Sequence, residues 1–248
     1  MTVRKMREKR GWAFWLAVSI IKPTLLATTR RTWVDPERIP AEGGCVLVMN
    51  HLSHVDPLTA AHLVYDYGRL PHYLAKAGLW KNKALGRFLD AAGQIPVERE
   101  RGGAGAYGKA VKAVREGRLI VVYPEATITR DPDLWPMRGK SGAARIALET
   151  ACPVIPVGQW GAQEILPPYA KRPRLFPRRR ITMRVGEPVP LDDLRDGPVT
   201  TEVVTEATDR IMAAITRQLE LIREADAPAE RYDMRVHGDR FKKRKDRS

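Results

Sequence analysis

The sequence predicts an α/β fold: a mainly parallel central sheet covered by helices, with an N-terminal helical segment suited to a membrane surface. Three observations predict it. Short apolar runs at 46–49, 119–123 and 153–157 read as strands buried on both faces. Between them lie longer stretches whose apolar residues recur at helical spacing. Strand and helix alternate along a chain of 248 residues, long enough to bury a substantial core, and that alternation argues for parallel strands joined by helices.

The elements follow in order. Residues 1–10 carry Arg4, Lys5, Arg7, Lys9 and Arg10 against Glu8. An uncharged apolar run of 11 residues, 11–21, follows and is expected to break at Lys22-Pro23. Spanning a bilayer takes about 20 apolar residues, so this run is too short. Trp12 and Trp15 beside a basic flank suit a helix lying in the headgroup region; a core helix is the alternative. No small-residue cleavage site follows, which argues against a signal peptide. Next come a short strand at 32–34, a turn-rich connector at 36–44 and the buried strand 46–49. A helix at 57–66 precedes a strand at 72–75 that ends at Lys76. A helix at 82–91 leads to a strand at 94–97. The helix at 104–116 places Tyr107, Ala110, Val111 and Val114 on one face. Strand 119–123, helix 141–150, strand 153–157 and strand 181–185 follow. In the long helix 200–225, Ile211, Ile215, Leu219 and Ile222 form an apolar stripe that reads as core. The chain thus divides into a basic flank and interfacial helix (1–30), a main domain (31–225) and a basic, flexible tail (226–248).

The stretch Asn50-His51-Leu52-Ser53-His54-Val55-Asp56-Pro57 links a buried strand to a helix. Proline suits the first position of a helix, which makes Asp56 the expected N-cap. On a continuous helix, positions five apart point to different sides. A tight loop is what allows His51 and Asp56 to meet. If they meet, His51 is a general base for a hydroxyl and Asp56 orients its ring. The plainer reading leaves Asp56 a cap and His51 a strand end, and His54 is a second candidate base. His51, His54 and Asp56 as metal ligands would lack a nearby fourth His or Cys, so no metal is expected.

Composition narrows the class. Cys45 and Cys152 are the two cysteines; each sits beside an apolar run and reads as a buried small hydrophobe of a reducing compartment. The formal charge of +14 draws the chain to polyanions, and 44% hydrophobic residues exclude a basic disordered tail.

Four stretches, in order, resemble the motif blocks of the glycerolipid acyltransferases that make phosphatidic acid from lysophosphatidic acid. Residues 50–56 resemble the first, with its histidine and aspartate. Gly93-Gln94-Ile95-Pro96-Val97-Glu98-Arg99 looks like the second, Tyr123-Pro124-Glu125-Ala126-Thr127 the third, and Val154-Ile155-Pro156-Val157 the fourth. Lys76, Gly86, Lys140 and Gly142 fall where that family has the same residue types. The resemblance covers roughly residues 44–159. It implies a glycerolipid-acyltransferase-like fold at the cytoplasmic face of the cell membrane, peripheral or monotopic. It also implies transfer of a fatty acyl group from acyl-CoA or acyl carrier protein to lysophosphatidic acid. Glycerol 3-phosphate or another lipid alcohol is the alternative acceptor, and no cofactor beyond the acyl cosubstrate is implied. His51 and Asp56 are the implied catalytic pair, and Arg99 the implied grip on the acceptor's phosphate. Glu125, Thr127, Lys76 and Lys140 are the further implied acceptor contacts. Direct attack needs no acyl-enzyme, and no Gly-x-Ser-x-Gly elbow is present.

Two departures from the family pattern stand in the third block. Ala126 occupies the usual glycine, a loss of backbone permissiveness. Ile128 replaces the usual arginine, and Arg130, two residues on, is the expected substitute donor.

Two rival readings remain. Gly103-Ala104-Gly105-Ala106-Tyr107-Gly108 fits G-x-G-x-x-G, but a dinucleotide site needs its first glycine directly after a strand, and the charged stretch 98–102 intervenes. A nucleic-acid binder is suggested by Lys171, Arg172, Arg174, Arg178, Arg179 and Arg180 around Phe176, and by Arg240, Lys242, Lys243, Arg244, Lys245 and Arg247. No recognition module accompanies them, whereas an anionic membrane explains these charges and the tryptophan segment together, so no nucleic acid is expected.

Overall fold

The computed structural model describes residues 4–6, 8–98, 104–239 and 241. Arg99, Gly103, Arg240 and 242–248 lie outside the described residues, so the expectations that rest on them have no structural counterpart below. The chain builds one seven-stranded sheet in the order β1-β7-β6-β2-β5-β3-β4. Its strands are β1 Thr29–Val34, β2 Cys45–Met49, β3 Pro71–Lys76, β4 Ile95–Val97, β5 Leu119–Val122, β6 Val154–Trp160 and β7 Arg179–Val185. All neighbours pair parallel except β6 with β7, which is antiparallel. The expected mainly parallel sheet is therefore present.

The centre of the sheet is buried on both faces, which is why β2 reads Cys-Val-Leu-Val-Met without a polar break. Side chains alternate across a strand. Cys45, Leu47 and Met49 pack with Ala60, Leu63 and Val64 of helix α2 (Asp56–Asp66). Val46 and Val48 face the other way, onto helices α4 (Ala104–Arg115), α5 (Gly142–Thr150) and α7 (Thr201–Arg223). Of the expected α7 stripe, Ile211, Ile215 and Leu219 are buried, while Ile222 is half-buried. At Gly158, in the middle of β6, an added Cβ would come within 2.7 Å of the Gln218 backbone, so glycine is what lets α7 lie against the strand.

Helix α1 (Trp12–Thr28) corrects the expected break at Lys22-Pro23, because it runs through Pro23. Proline removes one backbone hydrogen bond. Beside it, Lys22 Nζ reaches Asp66 Oδ1 at 2.7 Å, and Thr24 Oγ1 donates to the Ile20 carbonyl at 2.7 Å. One face of α1 packs on the body, with Ala13 and Leu25 buried. The other leaves Trp12 60%, Trp15 51% and Ile20 59% exposed. No helix among the described residues is long and apolar enough to cross a membrane.

Beyond α7, the described chain turns back over the body. The Tyr232 carbonyl accepts the Arg138 N–H at 3.0 Å, a short helix α8 spans Met234–His237, and Phe241 lies 4.4 Å from the Tyr169 ring.

Candidate active site

Parallel strands end on one edge of a sheet, and ligands bind beyond their carboxyl ends. Here that edge carries His51 after β2, Lys76 at the end of β3 and Tyr123–Thr127 after β5. Topology thus gathers motifs that are far apart in sequence.

His51 is held from three sides. Its Nδ1 lies 2.8 Å from Asp56 Oδ2. Its ring stacks on Tyr123 with centroids 4.4 Å apart. Its main-chain N–H donates to Glu125 Oε1 at 2.8 Å. The same Asp56 oxygen accepts the N–H groups of Leu52 at 2.5 Å and Ser53 at 2.8 Å. A carboxylate only accepts, so Nδ1 carries a hydrogen, and in the neutral ring the lone pair falls on Nε2. Asp56 is not the N-cap that the position before proline suggests. It is the first helical residue, after Val55, and its buried carboxylate turns back onto the loop rather than forward onto the helix.

Asn50 anchors the loop to β6. Its side chain donates to the Gln159 carbonyl at 3.0 Å and accepts the Gln159 N–H at 2.8 Å, and Gln159 Nε2 returns a bond of 2.6 Å to the Asn50 carbonyl. Nothing in the local sequence marks Gln159 or the Tyr123 stack, because both partners are distant in the chain.

His51 and His54 line a cavity of about 1280 Å³. Its wall is mostly apolar: Phe14, Val18, Ile21 and Leu25 of α1, Tyr73 and Leu74 of β3, and Leu89 of helix α3 (Lys83–Ala91). Lys22, Lys76, Lys140 and Arg145 supply its cations, and no acidic side chain lines it among the described residues.

The implied acceptor contacts divide. Thr127, Lys76 and Lys140 are on the wall, and both lysines are exposed. Glu125 is not. Its side chain is buried, and its second oxygen accepts the Met137 N–H at 3.0 Å, so it ties the His51 loop to the following loop. Burial pushes its carboxyl up to about 8. Arg130 also stays off the wall. Its guanidinium pairs with Asp239 at 2.6 Å and lies 4.0 Å from the Tyr169 ring centre. Tyr169 itself lines the cavity, and its hydroxyl lies 3.2 Å from Thr127 Oγ1. Sequence reasoning missed it, since it belongs to no motif block. Ala126 takes φ +58°, the left-handed conformation that a glycine would adopt freely.

Neither Cys45 nor Ser53 is placed to act as a nucleophile beside His51. Burial pushes the Cys45 thiol up to about 12, and the Ser53 hydroxyl is spent on the Leu166 carbonyl at 2.7 Å. No group of three or more His, Cys, Asp or Glu side chains able to hold a metal occurs among the described residues.

A family model described as Acyltransferase matches residues 30–160, more than half of the chain. The chain belongs to the acyltransferase family. This acyltransferase is 29% identical over 188 residues to the 1-acyl-sn-glycerol-3-phosphate acyltransferase of Bacillus subtilis, covering 75% of this chain and 88% of that one. The enzyme of the same name from Borreliella burgdorferi is 33% identical over 123 residues, which is 49% of this chain and 47% of that one. The crystal structure of the 1-acyl-sn-glycerophosphate (LPA) acyltransferase PlsC from Thermotoga maritima superposes with a TM-score of 0.61 at 18% identity. It covers 90% of this acyltransferase and 86% of PlsC, and supports the fold. The recognition made from four motif blocks thus stands.

Proposed function

We propose that this acyltransferase transfers a fatty acyl group from acyl-CoA or acyl carrier protein to the free hydroxyl of lysophosphatidic acid, giving phosphatidic acid. The observation that carries the reading is the His51–Asp56 pair opening on a large, mostly apolar cavity with cations and no carboxylate on its described wall. In the step, His51 Nε2 takes the hydroxyl proton as the oxygen attacks the thioester carbonyl. The tetrahedral intermediate collapses, the carbon–sulfur bond breaks, and the proton passes to the leaving thiolate. Atoms and charge balance without a metal or redox cofactor. A positioned base contributes about 10²–10⁴ in rate, and alignment of the two substrates in the cavity supplies much of the rest. Glycerol 3-phosphate and other lipid alcohols are alternative acceptors for the same chemistry. The printed names of the relatives favour the lysophospholipid.

The enzyme works at an anionic membrane surface, on its cytoplasmic face. The outer face of α1 is apolar, and Phe176 and Leu175 are exposed beside Lys171, Arg172 and Arg174. Arg178 brings that loop to the end of α1 through bonds of 2.7 Å to the Leu26 and Thr29 carbonyls. Each basic residue near an anionic leaflet contributes about 1 kcal/mol, and tryptophans favour the headgroup region. A nucleic acid would use the charges but not the apolar face. The test is purified protein with labelled acyl-CoA and a panel of acceptors, products identified by mass and acylated position. Transfer to lysophosphatidic acid above all others is expected; a strict preference for an acceptor without phosphate would overturn the reading.

A further inference from the structure

Ile128 stands where the family places an arginine, and it is buried, so one phosphate donor is missing from the site. Arg130 does not fill the gap. Its Nη2 donates to Asp239 Oδ2 at 3.1 Å, and its guanidinium carbon lies 4.0 Å from the Tyr169 ring centre and 5.4 Å from that of Phe241. A guanidinium already paired with a carboxylate is a poor ligand for a second anion, because the first must be given up.

Arg145 is placed differently. It stands one turn into α5, is exposed, and lines the cavity that His51 lines. Among the described residues no carboxylate lies within ion-pair distance of it. Its side chain makes one long bond, from Nε to Ser141 Oγ at 3.4 Å, which leaves both Nη groups free for a bidentate contact. Lys140, on the same wall, is likewise without an acidic partner among the described residues. The Lys140 N–H donates to the Pro124 carbonyl at 2.8 Å, which holds it beside Tyr123, the ring under His51. Two cations without an ion-pair partner among the described residues therefore share the cavity that the base lines; Glu149, one turn on along α5, is held instead by Tyr107 and by Arg115 at 3.2 Å.

We propose that Arg145, with Lys140, binds the phosphate monoester of the acceptor and so does the work of the missing arginine at position 128. This deepens the reading of the site as one for a phosphorylated acceptor and rests on it. A phosphate of the coenzyme A donor has the same chemistry, and the test separates the two. Arg145 is assigned to holding the acceptor and not to the proton transfer, so its loss acts on binding.

The experiment compares wild type with Arg145→Ala, Arg145→Lys and Arg130→Ala. Initial rates are measured with lysophosphatidic acid against monoacylglycerol, and with acyl-CoA against an acyl-pantetheine that carries no phosphate. Calorimetry follows a short-chain lysophosphatidic acid on each protein, and thermal melting checks the fold. Arg145→Ala is expected to raise KM for lysophosphatidic acid about tenfold or more, with kcat little changed and the monoacylglycerol and acyl-CoA constants unmoved. Arg145→Lys should recover part of the loss, and Arg130→Ala should leave KM for the acceptor near wild type. An unchanged acceptor KM in Arg145→Ala overturns the proposal, as does a rise confined to acyl-CoA that vanishes with acyl-pantetheine. Should wild type turn over no phosphorylated acceptor yet bind the short lipid through Arg145, the reaction falls and the binding site stands. Should Arg145→Ala melt well below wild type, the Arg145→Lys variant and its acceptor KM decide.

Discussion

Nδ1 of His51 lies 2.8 Å from Oδ2 of Asp56, an oxygen that also receives the Leu52 and Ser53 N–H groups. One carboxylate oxygen thus shapes the loop and fixes the tautomer of the base. Asp56→Asn places an amide there that can donate as well as accept, so Nδ1–H loses its assured partner. We expect kcat to fall by about a hundredfold or more, with acceptor KM changed far less. Steady-state kinetics on protein with an unaltered far-UV circular dichroism spectrum checks this.

Glu125 links stability to pH. Burial raises its carboxyl from 4.5 to about 8, so between those values the folded protein holds a proton that the unfolded chain has released. Its contribution is therefore present below about pH 4.5 and is lost as pH rises through about 8, an effect on the order of a few kcal/mol. Glu125→Gln removes the titration and should flatten that part of the stability profile. It should also cost about 1–3 kcal/mol at acidic pH, because the amide nitrogen faces one of the two backbone N–H groups that the carboxyl accepts. Urea denaturation of both proteins at pH 5 and pH 8.5 measures each effect.

Ala126 at φ +58° carries a conformational cost of about 1–2 kcal/mol relative to a right-handed residue. Glycine relieves it but loses about 0.5–1 kcal/mol more chain entropy on folding. Ala126→Gly is therefore expected to stabilise the protein by up to about 1 kcal/mol, seen as a small rise in Tm.

The sheet and its helices were legible because they follow from local pattern: buried runs and helical spacing. The loop before Pro57 allowed the His51–Asp56 pair without requiring it, and the resemblance to the glycerolipid acyltransferases is what singled it out. The direction of a side chain is not local. Whether Asp56 turns forward as a cap or back onto the loop depends on which N–H groups the fold presents, and the loop presents three. Glu125 reads as a substrate ligand from its place at a strand end. It becomes a backbone acceptor only because the loop reaching Met137 folds against it. Pro23 reads as a helix end, yet α1 continues through it, with its neighbour Lys22 bound to Asp66 on another helix. Arg130 likewise meets Asp239, a partner more than a hundred residues away.

The exposed face of α1 should govern attachment. Replacing Trp12 and Trp15 together by alanine is expected to weaken binding to anionic vesicles at least about tenfold while leaving turnover of detergent-dispersed substrate near wild type. Flotation of both proteins on vesicles of graded anionic content checks it, and equal flotation would contradict the membrane reading.

The most direct measurement is single-turnover acyl transfer by His51→Gln, which keeps the size of the side chain and removes the base. A fall of about 10²–10⁴ in the rate of transfer, with the acyl donor still bound and the melting profile preserved, is the predicted result. Transfer at the wild-type rate by that variant would contradict it.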